Sequence, residues 1–162
     1  MSSWRNVFIK NSINMNHICI IPARKGSKRL PGKNTIFFKG RPIIEWTIIA
    51  ALESKIFKKV IVSTDCKKTI NIAKNNYVDF HDRKGKNISD ISTVVDVCLD
   101  VIDKFSINTD YIWCLYPTSP LRDKHDLINM KKILNDENYD SVCAVTNYQH
   151  YAHQALYEEN GF

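Results

Sequence analysis

Short β-branched runs alternate with segments of helical periodicity along this chain, and few folds accept that order. His17 to Pro22 (HICIIP) is an apolar run that stops at a polar loop. Pro42 to Lys55 carries Ile44, Ile48 and Ala51 or Leu52 at helical spacing, with Pro42 suited to the first turn. Lys58 to Ser63 (KKVIVS) reads as a second strand, and Lys67 to Asn75 as a second helix. A short strand follows at Tyr77 to Phe80, then a helix over Ile91 to Phe105 with Val94, Cys98, Val101 and Phe105 on one face. Asp110 to Leu115 reads as a strand. Leu127, Met130 and Leu134 mark a last helix, and Asp140 to Val145 reads as a last strand. The alternation predicts an α/β fold with a mostly parallel sheet covered by helices.

That fold class says where to look for a ligand. In open α/β sheets, ligands sit outside the carboxyl ends of the strands. Those ends here read Pro22-Ala23-Arg24, Ser63-Thr64-Asp65, Pro117-Thr118-Ser119-Pro120 and Thr146-Asn147. Polar and turn-forming residues gather at each of them.

Composition narrows the class further. With 162 residues, the chain is of single-domain size and can bury a core without staples. The charge of +6, from 23 Lys and Arg against 17 Asp and Glu, favours anionic partners. Its basic residues form no block of five or more, which argues against a nucleic-acid tail. No apolar run approaches the roughly 20 residues that span a bilayer, so no membrane partner is expected. The five cysteines, Cys19, Cys66, Cys98, Cys114 and Cys143, are odd in number, widely spaced and without a CxxC pair. They read as buried free thiols in a reducing compartment, hence a cytoplasmic location. Residues 1–15 lack a signal-peptide core and read as a poorly structured extension, with residues 16–162 as the domain.

The richest segment is Ile21 to Asn34, IPARKGSKRLPGKN. Arg24, Lys25, Lys28, Arg29 and Lys33 fall within ten residues, directly after a buried strand. Gly26 and Gly32 permit close backbone approach, and Ser27 offers a hydroxyl and an N–H. Such a loop can wrap a polyphosphate with N–H groups and cations, though composition alone also fits a solvated basic loop. It is not a Walker A loop, because Asn34 follows Lys33 where Ser or Thr is needed and an extended segment follows.

Several segments together resemble the acylneuraminate (CMP-sialic acid, nonulosonic acid) cytidylyltransferases. The loop is similar to that family's IPAR-x-GSK-x-x-x-x-KN signature. GRPIIEWTIIAALES (Gly40 to Ser54) resembles the helix after it, and KKVIVSTD (Lys58 to Asp65) the second strand. Arg83, followed by Asp90, Ser92 and Thr93, resembles an Arg-containing segment with D-x-S/T-S/T. LYPTSPLR (Leu115 to Arg122) resembles LQPTSPLR, with Tyr116 in place of the family's Gln. The likeness runs from Asn16 to about Phe162. A cytidylyltransferase for KDO is the nearest enzyme alternative, since Arg29, Leu30 and Pro31 fit its loop, whereas GSK and KN favour the nonulosonate branch.

The resemblance implies a Rossmann-like nucleotide-diphospho-sugar transferase fold with helices on both faces of the sheet. It implies that CTP and a nonulosonic acid are the substrates, and that the acid's anomeric hydroxyl attacks the α-phosphorus and releases pyrophosphate. Arg24 and Lys33 would be the catalytic cations. Ala23, Gly26, Ser27, Asn34, Arg83, Asp90 and Ser92 would join them in holding the nucleotide. Tyr116, Pro117, Thr118, Ser119 and Arg122 would hold the sugar acid. Mg²⁺ is the implied cofactor, with ligands mostly outside this chain. The same resemblance implies a homodimer in the full-length form and an incomplete C-terminus here, so a catalytically silent CTP-binding module is the non-enzyme alternative.

Five further residues are read on their own chemistry. Asp65 at a strand end suits either a nucleotide contact or a turn cap. His150 and His153 have no third ligand in the sequence and read as surface or packing residues. Trp46 and Trp113 lie in apolar segments and read as core. No Ser-His-Asp or Cys-His set supports a covalent nucleophile.

Overall fold

Burial on both faces sets the order of the sheet. The computed structural model describes residues 15–85, 92–136 and 139–145. Its central strand β1 (His17–Pro22) is buried along nearly its whole length, as expected for a parallel strand covered on both sides. Cys19 and Ile21 point into one apolar cluster, and Ile18 and Ile20 into another. This is the period of two that every strand imposes. Strands β4 (Lys59–Thr64), β5 (Asp79–Asp82) and β6 (Tyr111–Cys114) complete a four-stranded sheet in the order β5-β4-β1-β6. All three pairings are parallel.

Helices cover both faces. Helices α1 (Ile43–Ser54), α2 (Lys67–Asn75) and α4 (Lys124–Asp136) supply Ile44, Ile48, Ala51, Ala73, Leu127 and Leu134 to the larger cluster. Helix α3 (Val94–Lys104) lies on the opposite face, where Val101, Cys98 and Phe105 pack with Ile18, Ile20 and Ile61. The chain steps outward from β1 to β4 to β5 and then returns to the other side of β1. The order therefore reverses between β1 and β6, which makes the carboxyl ends of those two strands a topological switch point.

Several sequence expectations shift for local reasons. Thr35 belongs to a 3-10 turn (Lys33–Thr35), and only β2 (Phe37–Phe38) is extended, in a hairpin with β3 (Arg41–Pro42). Lys39 and Gly40 both have positive φ, 47° and 82°, which is the pattern of a two-residue primed turn. The strand expected at Tyr77 begins at Asp79, because Tyr77 sits in the left-handed region at φ 56° and is fully exposed. Helix α3 begins at Val94, since Thr93 and Asp96 form a reciprocal capping box. No strand forms over 140–145. Val142 packs against the larger cluster, but Val145 is exposed. Cys143 is likewise exposed. Trp113 is buried as expected, whereas Trp46 is only half-buried, donating Nε1–H to the Phe38 carbonyl at 2.8 Å beneath the Arg41 guanidinium. Among the described residues, no helix is long and apolar enough to cross a membrane. The expected extension, residues 1–15, lies almost wholly outside the described residues.

Candidate functional site

The loop after β1 is pinned by the end of β4. Ala23 N–H donates to the Ser63 carbonyl at 2.8 Å, and the Thr64 hydroxyl donates back to the Ala23 carbonyl. Lys25 N–H donates to Asp65 Oδ1 at 2.6 Å. From the far end of the loop, Asn34 Nδ2 donates to the Arg24 carbonyl at 3.1 Å. Asn34 is 5% exposed, and its Oδ1 is buried with no protein partner among the described residues. These bonds hold the Arg24 backbone in place, with the start of the loop against β4 and its end folded back as a 3-10 turn.

The neighbouring strand end adds a buried cation. Arg83 follows β5 and is 5% exposed; its backbone N–H donates to the Thr64 carbonyl, and its Nε–H to Ser63 Oγ, both at 3.0 Å. Burial lowers its pKa and nearby Asp65 opposes that shift, so the guanidinium keeps its charge. Across the switch point, Arg122 Nη2 donates to the Tyr116 carbonyl at 2.6 Å, fixing the turn after β6.

These elements enclose a cavity of about 240 Å³. Arg24, Lys33 and Asn34 line it from the loop, and Arg83 from the end of β5. Ser92, Thr93, Val94 and Val97 line it from the start of α3, and Tyr116, Pro117 and Thr118 from the turn after β6. Three of these residues are cations and none is a carboxylate. The three cations among these residues favour an anionic ligand. Polar side chains, the half-exposed Tyr116 ring and the apolar Pro22 and Val97 suit a ligand that is anionic at one end and flat at the other.

Most residues singled out from the sequence converge here: Arg24, Lys33, Asn34, Arg83, Ser92, Tyr116, Pro117 and Thr118. Ala23, Gly26, Ser27, Ser119 and Arg122 do not line the cavity. Ala23 is buried under the loop, and the Ser27 N–H already donates to the Lys25 carbonyl at 2.9 Å. Arg122 braces Tyr116 from behind, and Asp65 clamps the loop backbone. Asp90, Thr146, Asn147, His150 and His153 lie outside the described residues. Val94 and Val97 were missed as lining residues; both sit in the first turns of α3, one helical turn apart, and only the position of that helix end could have identified them. For the implied Mg²⁺, no group of three or more His, Cys, Asp or Glu side chains fit to hold a metal ion occurs among the described residues.

Known proteins resemble the chain over most of its described length. A family model described as "Cytidylyltransferase" matches residues 18–160. A pseudaminic acid cytidylyltransferase of Campylobacter jejuni serotype O:2 is 35% identical over 150 residues, covering 88% of this chain and 63% of that protein. An N-acylneuraminate cytidylyltransferase of Escherichia coli O18:K1:H7 is 39% identical over 132 residues, covering 80% of this chain and 31% of that one. The chain thus spans under two thirds of the length of either relative. A solved CMP:2-keto-3-deoxy-manno-octonic acid synthetase complexed with CTP shares the fold at a TM-score of 0.63 and 23% identity, over 76% of this chain and 48% of that one.

Proposed function

This chain belongs to the cytidylyltransferase family, and from that premise we propose that it binds CTP at the switch-point cavity and serves the transfer of CMP to a nonulosonic sugar acid. The observation that carries the proposal is the convergence of Arg24, Lys33 and Arg83 on one cavity, with no carboxylate among its described lining residues. Three convergent cations suit a triphosphate, and a base supplies a flat surface that Tyr116 and the apolar residues would cover. Pseudaminic and N-acylneuraminic acid, named in the two relatives, bound the class of acid.

The chemistry follows from charge. The acid's anomeric hydroxyl oxygen forms a bond to the α-phosphorus, the bond to the β-phosphate oxygen breaks, the hydroxyl proton is lost to solvent, and pyrophosphate leaves. Transfers of this kind depend on in-line positioning and charge neutralisation more than on covalent catalysis. Arg24 and Lys33 would neutralise charge on the departing phosphates from the loop. Mg²⁺ stays part of the proposal as an ion brought by the triphosphate, since the described residues offer it no ligand set.

Calorimetry with CTP, ATP, GTP and UTP in the presence of Mg²⁺ tests the reading. CTP is expected to bind tightest; equal affinity for all four would reduce the site to a phosphate cradle. Pyrophosphate release with pseudaminic, sialic and legionaminic acids and with KDO then ranks the acceptors. CTP binding without release under any of them identifies a silent binding module.

A further inference from the structure

Behind Arg83 runs a polar chain of Ser63, His81 and Asp100 that the reaction above does not use. Ser63 and His81 are register partners on β4 and β5, and Arg83 follows His81 by two residues, on the same face of the sheet. All three are buried, at 0%, 2% and 5% exposure. Arg83 Nε lies 3.0 Å from Ser63 Oγ, Ser63 Oγ lies 3.0 Å from His81 Nδ1, and His81 Nε2 lies 3.3 Å from Asp100 Oδ2 on α3. The Phe105 ring packs edge-on against the imidazole at 6.5 Å.

Donor and acceptor rules assign the protons along this chain. Arg83 Nε can only donate, so Ser63 Oγ accepts. The Ser63 hydroxyl is fully buried, and its own proton has His81 Nδ1 as an acceptor. His81 Nδ1 is therefore bare, and Nε2 carries the ring proton and donates it to Asp100. The order is Arg83 to Ser63 to His81 to Asp100, each donating to the next. Protonating Nδ1 would reverse one link, leave the Ser63 proton without that acceptor, and place a second cation beside Arg83.

We propose that His81 is a positioning residue: held by Asp100, it fixes the Ser63 hydroxyl and so the direction in which Arg83 presents its guanidinium to the cavity. This rests on the reading of the cavity as a nucleotide site. Burial chiefly keeps His81 neutral. Lys104 on α3 and Arg83 just after β5 act in the same direction, and Asp100 and Asp82 oppose them.

The test compares CTP affinity from about pH 7.5 down to about pH 5.5, either side of the ordinary histidine pKa, with circular dichroism confirming the fold at each point. His81→Asn can keep an acceptor near the Nδ1 position without titrating, so it should bind within about twofold of wild type at the upper pH. His81→Phe should bind about tenfold more weakly, the cost of releasing a hydrogen bond that aims a charged group. Wild type should lose affinity on acidification that His81→Asn retains. Asp100→Asn, which leaves the core intact, should move that loss to lower pH because the charge favouring the imidazolium is gone. Equal affinity of the Phe and Asn variants, or identical pH profiles for wild type and His81→Asn, overturns the proposal. If wild type binds no CTP at any pH, the nucleotide reading falls instead. The positioning claim is then decided by ¹⁵N NMR of the ligand-free chain. The Nε2–H tautomer and a His81 midpoint raised by Arg83→Met support it; the Nδ1–H tautomer or an unmoved midpoint refutes it.

Discussion

Asp65 Oδ1 accepts the backbone N–H of Lys25 at 2.6 Å, across forty positions of sequence, and so ties the basic loop to the end of β4. The carboxylate thus organises the loop from behind and does not line the cavity. Asp65→Asn keeps the shape and an acceptor oxygen but loses the charge. The bond is exposed, so its loss should cost at most about 1 kcal/mol of stability, below the range for buried charged hydrogen bonds. CTP affinity should nonetheless fall several-fold as the Arg24 backbone loosens. Urea denaturation and calorimetry on the same variant separate the two effects, and unchanged affinity would show that the loop needs no clamp.

Arg24 and Lys33 reach one cavity from opposite ends of the loop. Arg24→Ala and Lys33→Ala should each weaken CTP binding by roughly 1.5–3 kcal/mol, the value of a hydrogen bond to a charged group. Their melting temperatures should stay near that of wild type, because both side chains are at least partly exposed. The salt dependence of CTP binding should flatten in both, since each removes a screened charge. Wild-type affinity in both variants would mark the loop as a solvated surface feature.

Acid should destabilise the fold through His17 and His81. Burial lowers the pKa of both, with Lys131 assisting and Asp110 opposing at His17. His17 is 1% exposed and its Nδ1 accepts from Trp113 Nε1 at 3.0 Å, which requires that nitrogen to be bare. The unfolded chain protonates at the ordinary 6.5, the native chain only at lower pH, so between them the unfolded state binds more protons. Stability should therefore be fully present above about pH 6.5 and fall as pH drops through the lowered native values. Urea midpoints between pH 8 and pH 5 check the sign, and a flat profile across that window contradicts it. His81→Asn should remove part of the slope.

Much of this fold was legible in advance because strand burial and helical spacing are local signals. β1 and α2 fall where the alternation put them, and Ile44, Ile48 and Ala51 face the core as their spacing required. Of the five loop cations, Arg24 and Lys33 line the cavity and Lys25, Lys28 and Arg29 do not, a division that composition alone could not make. Tertiary pairings were not legible either. Ser63 meets His81 only through parallel register, and Asp65 meets Lys25 only because β4 lies beside β1. Nor could spacing reveal that Tyr77 would take a left-handed turn and delay β5. Likewise, the strand-like run at 140–145 finds no ladder partner among the described residues.

Arg122, expected to hold the sugar acid, fixes the turn after β6 and does not line the cavity. Its Nη2 donates to the Tyr116 carbonyl at 2.6 Å, while Nε is buried with no protein partner among the described residues. The Thr47 hydroxyl reaches the same carbonyl only at 3.5 Å, so Arg122 is the stronger of the two restraints on this turn. Arg122→Met keeps the aliphatic stem that covers apolar surface but removes the donors. The Tyr116 carbonyl would then be left to the longer Thr47 bond, and the turn carrying Tyr116, Pro117 and Thr118 would loosen at the cavity wall. The loss should be about 1–2 kcal/mol of stability, reduced from the buried range because the bond is exposed. Arg122→Lys should recover part of it, since an ammonium can reach one carbonyl but lacks the planar fork. Denaturation midpoints give the stability order wild type, Lys, Met, and CTP affinity should follow the same order if Tyr116 covers the base. A Met variant that keeps wild-type stability while losing only sugar-acid binding would return Arg122 to direct contact with substrate.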